Sequence, residues 1–167
     1  MAQDIFIKLS DVKGEAQDKD HKDQIDVLAW SWGMTQSGSM HVGGGGGSGK
    51  VSVQDLSFTK YLDKSSPVLM QYCASGKQFK EALLTMRKAG GDKPLEYLKI
   101  KMTDVIVTSI SSGASGGEDQ LTENVTLNFE KVETEYQQHK PDGSKEGGPV
   151  KFGWDIAAEN YLEVYKE

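Results

Sequence analysis

Alternation constrains this chain more than any other feature. Along much of its length apolar residues recur at every second position, which is the period of a half-buried strand. In DIFIKLSDV, Ile5, Ile7 and Leu9 fall on one face. In IDVLAWSWG, Leu28, Trp30 and Trp32 share a face, and the small residues Val27, Ala29, Ser31 and Gly33 share the other. Two tryptophans on a half-buried face supply a large part of a core. The small face is left to pack against a neighbour or to border a cavity. In KVSVQDLSFTKYL the apolar parity shifts between Val53 and Leu56, which predicts a bulge or a sheet edge.

Further strands are predicted at 95–111, 123–137 and 150–156; in the last, Val150, Phe152, Trp154 and Ile156 share a face. At 79–88 intrinsic propensity favours helix. The alternation of Ala82, Leu84 and Met86 against Leu83, Thr85 and Arg87 permits a strand, and an Ala-Gly-Gly-Asp turn follows it. Strand is the reading adopted. One helix is well punctuated: Ser66 is placed as N-cap, Pro67 at the first helical position and Gly76 at the left-handed C-terminal position. Its stripe of Val68, Leu69, Tyr72 and Cys73 is expected to dock on the sheet. With no repeat and no linker, the expectation is one domain over 1–167, mainly β: a compact antiparallel barrel or sandwich with one short helix.

Composition narrows the function. Hydrophobic residues make up 37% and charged residues 26% of 167 residues, which suits one soluble globular core. A net charge of −6 argues against nucleic acid or an anionic membrane as partner, because both demand a basic face. The single cysteine, Cys73, allows no disulfide within the chain. The start, MAQDIFIKLSDVKGE, has no basic region leading into an apolar one, and no apolar run approaches membrane-span length. The expected route is synthesis in the cytosol, with any export independent of a cleavable signal peptide.

The stretch MHVGGGGGSGK, Met40, His41, Val42, Gly43, Gly44, Gly45, Gly46, Gly47, Ser48, Gly49 and Lys50, invites a phosphate-loop reading. That loop needs a Mg²⁺-ligating hydroxyl after the lysine and a helix N-terminus behind the phosphates. Val51 stands in place of the hydroxyl, and the residues beyond Lys50 alternate like a strand. Residues 113–117 satisfy G-x-S-x-G around Ser115, but a nucleophile elbow opens a helix and the residues that follow lead into a strand. His21, His41 and His139 are scattered, and the acidic run at 18–23 lacks the central glycine and bidentate glutamate of a calcium loop. No catalytic residue, metal or cofactor is expected, and an enzyme is not supported.

Several long segments are distinctive together: QIDVLAWSWG at 24–33, the glycine loop, VSVQDLSFTKYLDKSSP, CASGK at 73–77, LTMRKAGG at 84–91 and EDQLTENVTLNF at 118–129. In this order they closely resemble the haemolysin-coregulated proteins (Hcp), tube subunits of the bacterial type VI secretion system. The resemblance runs from Asp4 to about Ile156 and leaves the tail at 157–167 aside. It implies a small β-barrel of two sheets with one helix on its side, assembling as a homohexameric ring. Rings stack into a tube inside a contractile sheath, behind a spike protein, and effector proteins ride in the lumen. The segment 36–53 is implied to be an extended loop that contacts neighbouring subunits and the next ring. A glycine-rich loop of this kind is costly to order alone and gains from close approach to a partner backbone. For the lumen of such a ring, alternation points to the small face of Val27, Ala29 and Ser31, with the turn residues around Ser115. The competing readings are an enzyme using one of the two glycine motifs, and a monomeric secreted binding module.

Overall fold

The computed structural model describes residues 3–38, 49–88 and 93–162. The segment in which propensity and alternation disagree forms strand β7 (Phe79–Lys88). It is flanked on one side by β1 (Gln3–Leu9) and on the other by β8 (Leu95–Gly113), both antiparallel. Two hydrogen-bonded neighbours satisfy the backbone as fully as a helix would, and Ala82, Leu84 and Met86 enter the core. Tertiary pairing thus outweighs local preference.

The other strands are β2 (Ile25–Asp26), β3 (Ala29–Ser31), β4 (Met34–Gln36), β5 (Val51–Val53), β6 (Leu56–Tyr61), β9 (Thr122–Tyr136), β10 (Val150–Asp155) and β11 (Asn160–Tyr161). The main sheet runs β11-β10-β9-β8-β7-β1-β2. β9 divides one edge between two partners: its first half pairs with β6, from Thr122 to Leu127, and its second half with β10, from Lys131 to Tyr136. β6 in turn pairs with β3. β4 and β5 form a separate two-stranded arm. The parity shift at 53–56 is therefore a strand break at which the chain leaves the arm and enters the main sheet.

The Trp-bearing segment contains a corner that alternation alone does not show. The Val27 amide donates to the Ile5 carbonyl at 2.9 Å, and the next amide, Leu28, donates to Thr59 at 2.8 Å. The chain changes partner between two consecutive residues, from β1 to β6, and the inward parity flips with it. Val27 is consequently buried in the core, and Leu28 is 43% exposed. The expectation that Leu28 shares an inward face with the tryptophans, and Val27 an outward one with Ala29, fails at this corner. It holds beyond the corner, where Trp30 and Trp32 pack on the core and Ala29 and Ser31 are exposed. The barrel is not closed by a continuous strand; Ile25 to Ser31 only bridges its two margins.

Helix α1 (Ser65–Ser75) begins two residues before the expected first helical position, Pro67. Gly76 ends it as expected, with φ of 67° and its amide on the Tyr72 carbonyl. Leu69 is buried and Tyr72 and Cys73 pack on the core, but Val68 is exposed. Ser66 is not the N-cap. Its hydroxyl is drawn into the interior by Lys60 and Glu123, and Asp63 accepts from the Ser65 amide at 2.9 Å instead.

The core gathers Ile7, Leu9, Phe58, Leu84, Ile100, Met102, Val125 and Leu127 from both sides of the curled sheet. Two polar clusters interrupt it. Lys60 and Glu123, both with no exposed surface, form an ion pair of 2.7 Å. Lys60 also donates to Ser66 at 2.9 Å and to Asp63 at 3.0 Å, and Glu123 accepts from Ser112 at 2.9 Å. In the second cluster Arg87 pairs with Asp18 through both terminal nitrogens, reaches Asp4 at 3.3 Å and lies over the Phe6 ring. The other partner of Phe6 is His21, stacked at 4.4 Å, whose Nε2 meets Glu96 at 2.8 Å. This cluster pins the long connection between β1 and β2.

A candidate assembly and lumen surface

Of the extended-loop residues, Met40, His41, Val42, Gly43 to Gly47 and Ser48 lie outside the described residues. Gly49 and Lys50 form one side of the arm's stem. The Lys50 amide donates to Ser37 Oγ at 3.1 Å, continuing the β4–β5 pairing by one step. A Cβ on Gly49 would collide with the Ser37 carbonyl and the Gln36 side chain, so glycine is required here by close approach within the stem itself. The Lys50 ammonium reaches Glu159 at 2.5 Å, beside β11. Its pKa is raised, first by this hydrogen bond and then by the charge of Glu159. Trp32 secures the foot of the arm, its indole donating to the Gln54 carbonyl at 2.9 Å.

Ala29 and Ser31 share a surface that extends well beyond them. Cross-strand partners in a sheet lie on the same face. Ser31 stands opposite Ser57, Ser57 opposite Thr126, and Thr126 opposite Ser109. The neighbouring row runs Ala29, Thr59, Asn124, Ser111. Four adjacent strands, β3, β6, β9 and β8, thus present two parallel rows of small uncharged side chains. Thr59 donates to Asn124 at 2.7 Å, and the Ser57 and Thr126 hydroxyls meet at 3.3 Å. Four of the eight side chains are thus tied to one another across the strands. Beneath it, the intervening residues of β6 and β9 point inward, among them Phe58, Val125, Leu127 and the Lys60–Glu123 pair. That pair, with Ser66 and Ser112, ties helix and strands together directly under the face.

Sequence reasoning found Ala29 and Ser31 and missed Ser57, Thr59, Ser109, Ser111, Asn124 and Thr126. A signal was present: small or hydroxyl residues recur at every second position of each segment. Assembling them into one surface required the pairing order, which alternation does not encode. Val27 does not belong to this face, because the corner turns it into the core. Ser115 is exposed in the turn between β8 and β9, where its carbonyl accepts from the Glu118 amide at 3.2 Å. That turn leads directly into β9, and Lys50 leads directly into β5, as the alternation predicted.

Among the described residues no cluster of three or more His, Cys, Asp or Glu could hold a metal ion, and no helix is long and apolar enough to cross a membrane.

Residues 6–136 match the family described as type VI secretion system effector, Hcp. The chain is similar to the protein hcp1 of Pseudomonas aeruginosa, with 66% identity over 156 residues covering 93% of this chain and 96% of that protein. Among solved structures it is similar to Hcp1 from Salmonella typhimurium, with 43% identity, a TM-score of 0.80, and coverage of 97% of this chain and 100% of the other. A structure described as a type six secretion system protein has 32% identity and a TM-score of 0.89, covering 96% of this chain and all of its own.

Proposed function

Because the chain belongs to the Hcp family of type VI secretion proteins, we propose that it is the repeating subunit of a secretion tube. It assembles as a homohexameric ring, the rings stack, and the tube is itself exported with effector proteins in its lumen. A contractile sheath around the tube and a spike protein at its tip complete the assembly. The protein acts as part, carrier and cargo, with no chemistry of its own.

The observation that carries this reading is the uncharged face of β3, β6, β9 and β8. A passage that must take varied proteins needs a wall that excludes none of them by charge or bulk. Short side chains already hydrogen-bonded to one another meet that need, because each offers little desolvation cost and little specific adhesion. Ala29, Ser31 and the flanking turn at Ser115 belong to the lumen on this reading. The segment 36–53, Met40 to Lys50 included, contacts the neighbouring subunit and the next ring on this reading.

Native mass measurement tests the ring: a mass near that of a hexamer of 18.3 kDa chains is expected, with annular particles in negative stain. A monomer at every concentration sinks the proposal and favours a monomeric secreted binding module. The lumen assignment is tested separately with Ser31→Trp and Ser115→Trp. Each should leave the ring mass unchanged and lower the amount of effector that co-purifies. Normal co-purification with both variants overturns the assignment and leaves the ring standing.

A further inference from the structure

A cleft of about 350 Å³ lies far along the sheet from that face, where the start of β8 meets the connection between β9 and β10. This volume falls within the range of small-ligand sites. The connection is well built. Its 138–146 portion is a tight hairpin in which the Lys140 amide donates to Ser144 at 2.8 Å and the Glu146 amide to Gln138 at 2.9 Å. Asp142 accepts from the Ser144 amide at 2.9 Å and from its hydroxyl at 2.6 Å, which holds the tip. The Gln137 amide donates to the Tyr97 carbonyl at 2.9 Å, and so fixes the hairpin against β8.

The cleft concentrates positive charge in a chain whose net charge is −6. Lys93, Lys99 and Lys145 line it, with Tyr97 and His139. Lys88 adds a fourth ammonium beside it, 5.6 Å from the centre of the Tyr97 ring. Two carboxylates also reach the cleft, Glu96 and Glu135. Glu96 is engaged by His21 at 2.8 Å and by Lys99 at 3.5 Å, and Glu135 stands opposite Lys99 in the strand register. Lys93 and Lys145 make no ion pair among the described residues. One more atom lacks a partner: His139 Nδ1 is buried without a hydrogen bond. Buried polar atoms are nearly always paired, so this orphan favours a turn of the His139 ring that brings Nδ1 to a ligand in the cleft.

We propose that this cleft binds the carboxylate of an acidic peptide segment, with Lys93 and Lys145 pairing the anion and His139 Nδ1–H donating to it. Leu95 and the Tyr97 ring would take the apolar part of the adjoining residue. A singly charged carboxylate fits better than a phosphate dianion, because Glu96 and Glu135 already place negative charge in the wall and no arginine or helix N-terminus is present to offset more. The site does not depend on the tube reading and lies on different residues from the lumen face.

The test is ligand-observed saturation-transfer NMR on the full chain in its native assembly. The probe is N-acetyl-Leu-Glu amide, which carries one carboxylate, and the control is N-acetyl-Leu-Gln amide. Saturable transfer to the acidic peptide alone is expected, weakened at least tenfold by Lys93→Ser combined with Lys145→Ser, both exposed positions. His139→Leu should weaken it as well, whereas Lys8→Ser on the exposed side of β1 should leave it unchanged. Equal transfer to the control, undiminished binding by the double variant, or a loss with Lys8→Ser as large as with the double variant overturns the proposal. If inorganic phosphate displaces the peptide at a concentration below the peptide's own half-saturation point, the site is a phosphate site and the carboxylate assignment falls.

Discussion

At the residue scale, Lys60 and Glu123 are the groups whose loss this fold tolerates least. Each ion is out of contact with water, and its partner, Ser66, Ser112, Asp63 and the Tyr61 carbonyl compensate for the lost hydration. Removing one member leaves the other buried and unpaired, at a cost of about 3–5 kcal/mol. Glu123→Leu and Lys60→Met should each lower the denaturant midpoint accordingly, while the two together recover much of the loss. If the double variant is as unstable as the sum of the singles, the pair is not acting as a unit. Burial pushes the Glu123 carboxyl up, but hydrogen bonds from Lys60, Ser66 and Ser112 with the Lys60 charge outweigh it, so its pKa lies below the usual 4.5. Asp18 is held at about 2, against an ordinary 3.8, chiefly by its hydrogen bonds from Arg87. Both groups have depressed values in the folded state, so both contribute stability that is complete above the unfolded values and disappears on acidification. Unfolding free energy should therefore be flat near neutrality and fall as the pH drops from about 4.5 toward 2, by urea titration at stepped pH. The pair was legible in outline. In LSFTKY and ENVTLNF, Lys60 and Glu123 sit at the buried parity of their strands, among Leu56, Phe58, Val125 and Leu127. Opposite charges at inward positions of two strands predict a partnership once the strands are known to be neighbours, and nothing local says that they are.

At the element scale, alternation and propensity disagree over β7, whereas the long strands β8 and β9 were readable because each alternates over enough residues to average out exceptions. The short ones were not. β2 and β3 read as one strand, because alternation measures facing and carries no information about a change of partner at Val27 and Leu28. The helix was bounded at its C-terminal end by backbone chemistry that only glycine supplies cheaply. Its N-terminal end was misplaced because the serine that looks like a cap is claimed by a buried lysine. Gly76→Ala should cost about 1 kcal/mol, since the added Cβ meets no atom within 4 Å and the penalty is that of the left-handed backbone alone. Gly49→Ala acts differently. Its Cβ collides with the opposite side of the stem, so global stability should change little while the arm's stem opens. Faster proteolytic cleavage within 36–53 is the expected outcome, and an unchanged cleavage rate would show that the stem pairing does not control the arm.

At the scale of the whole molecule, β7 to β10 each pair with the next strand in sequence, but among the strands before them β1 and β6 wait for distant partners. β1 pairs with β7, Gln3 opposite Lys88, and β6 pairs with β9, Tyr61 opposite Thr122. Such non-local pairing predicts refolding in about milliseconds to seconds, slower than helical chains of this size. A microsecond refolding phase carrying the full amplitude in stopped-flow or temperature-jump traces would contradict it. During synthesis the delay is longer still. At about 5–20 residues per second, β1 emerges several seconds before β7 exists, and the edge that β9 divides between β6 and β10 is completed only when β10 has followed. The early strands of the nascent chain therefore wait for partners on the ribosome, and the face shared by β3, β6, β9 and β8 comes into being only when β9 is in place. On the tube reading proposed above, assembly is thereby timed: no ring can gather around a subunit whose wall has not yet been translated.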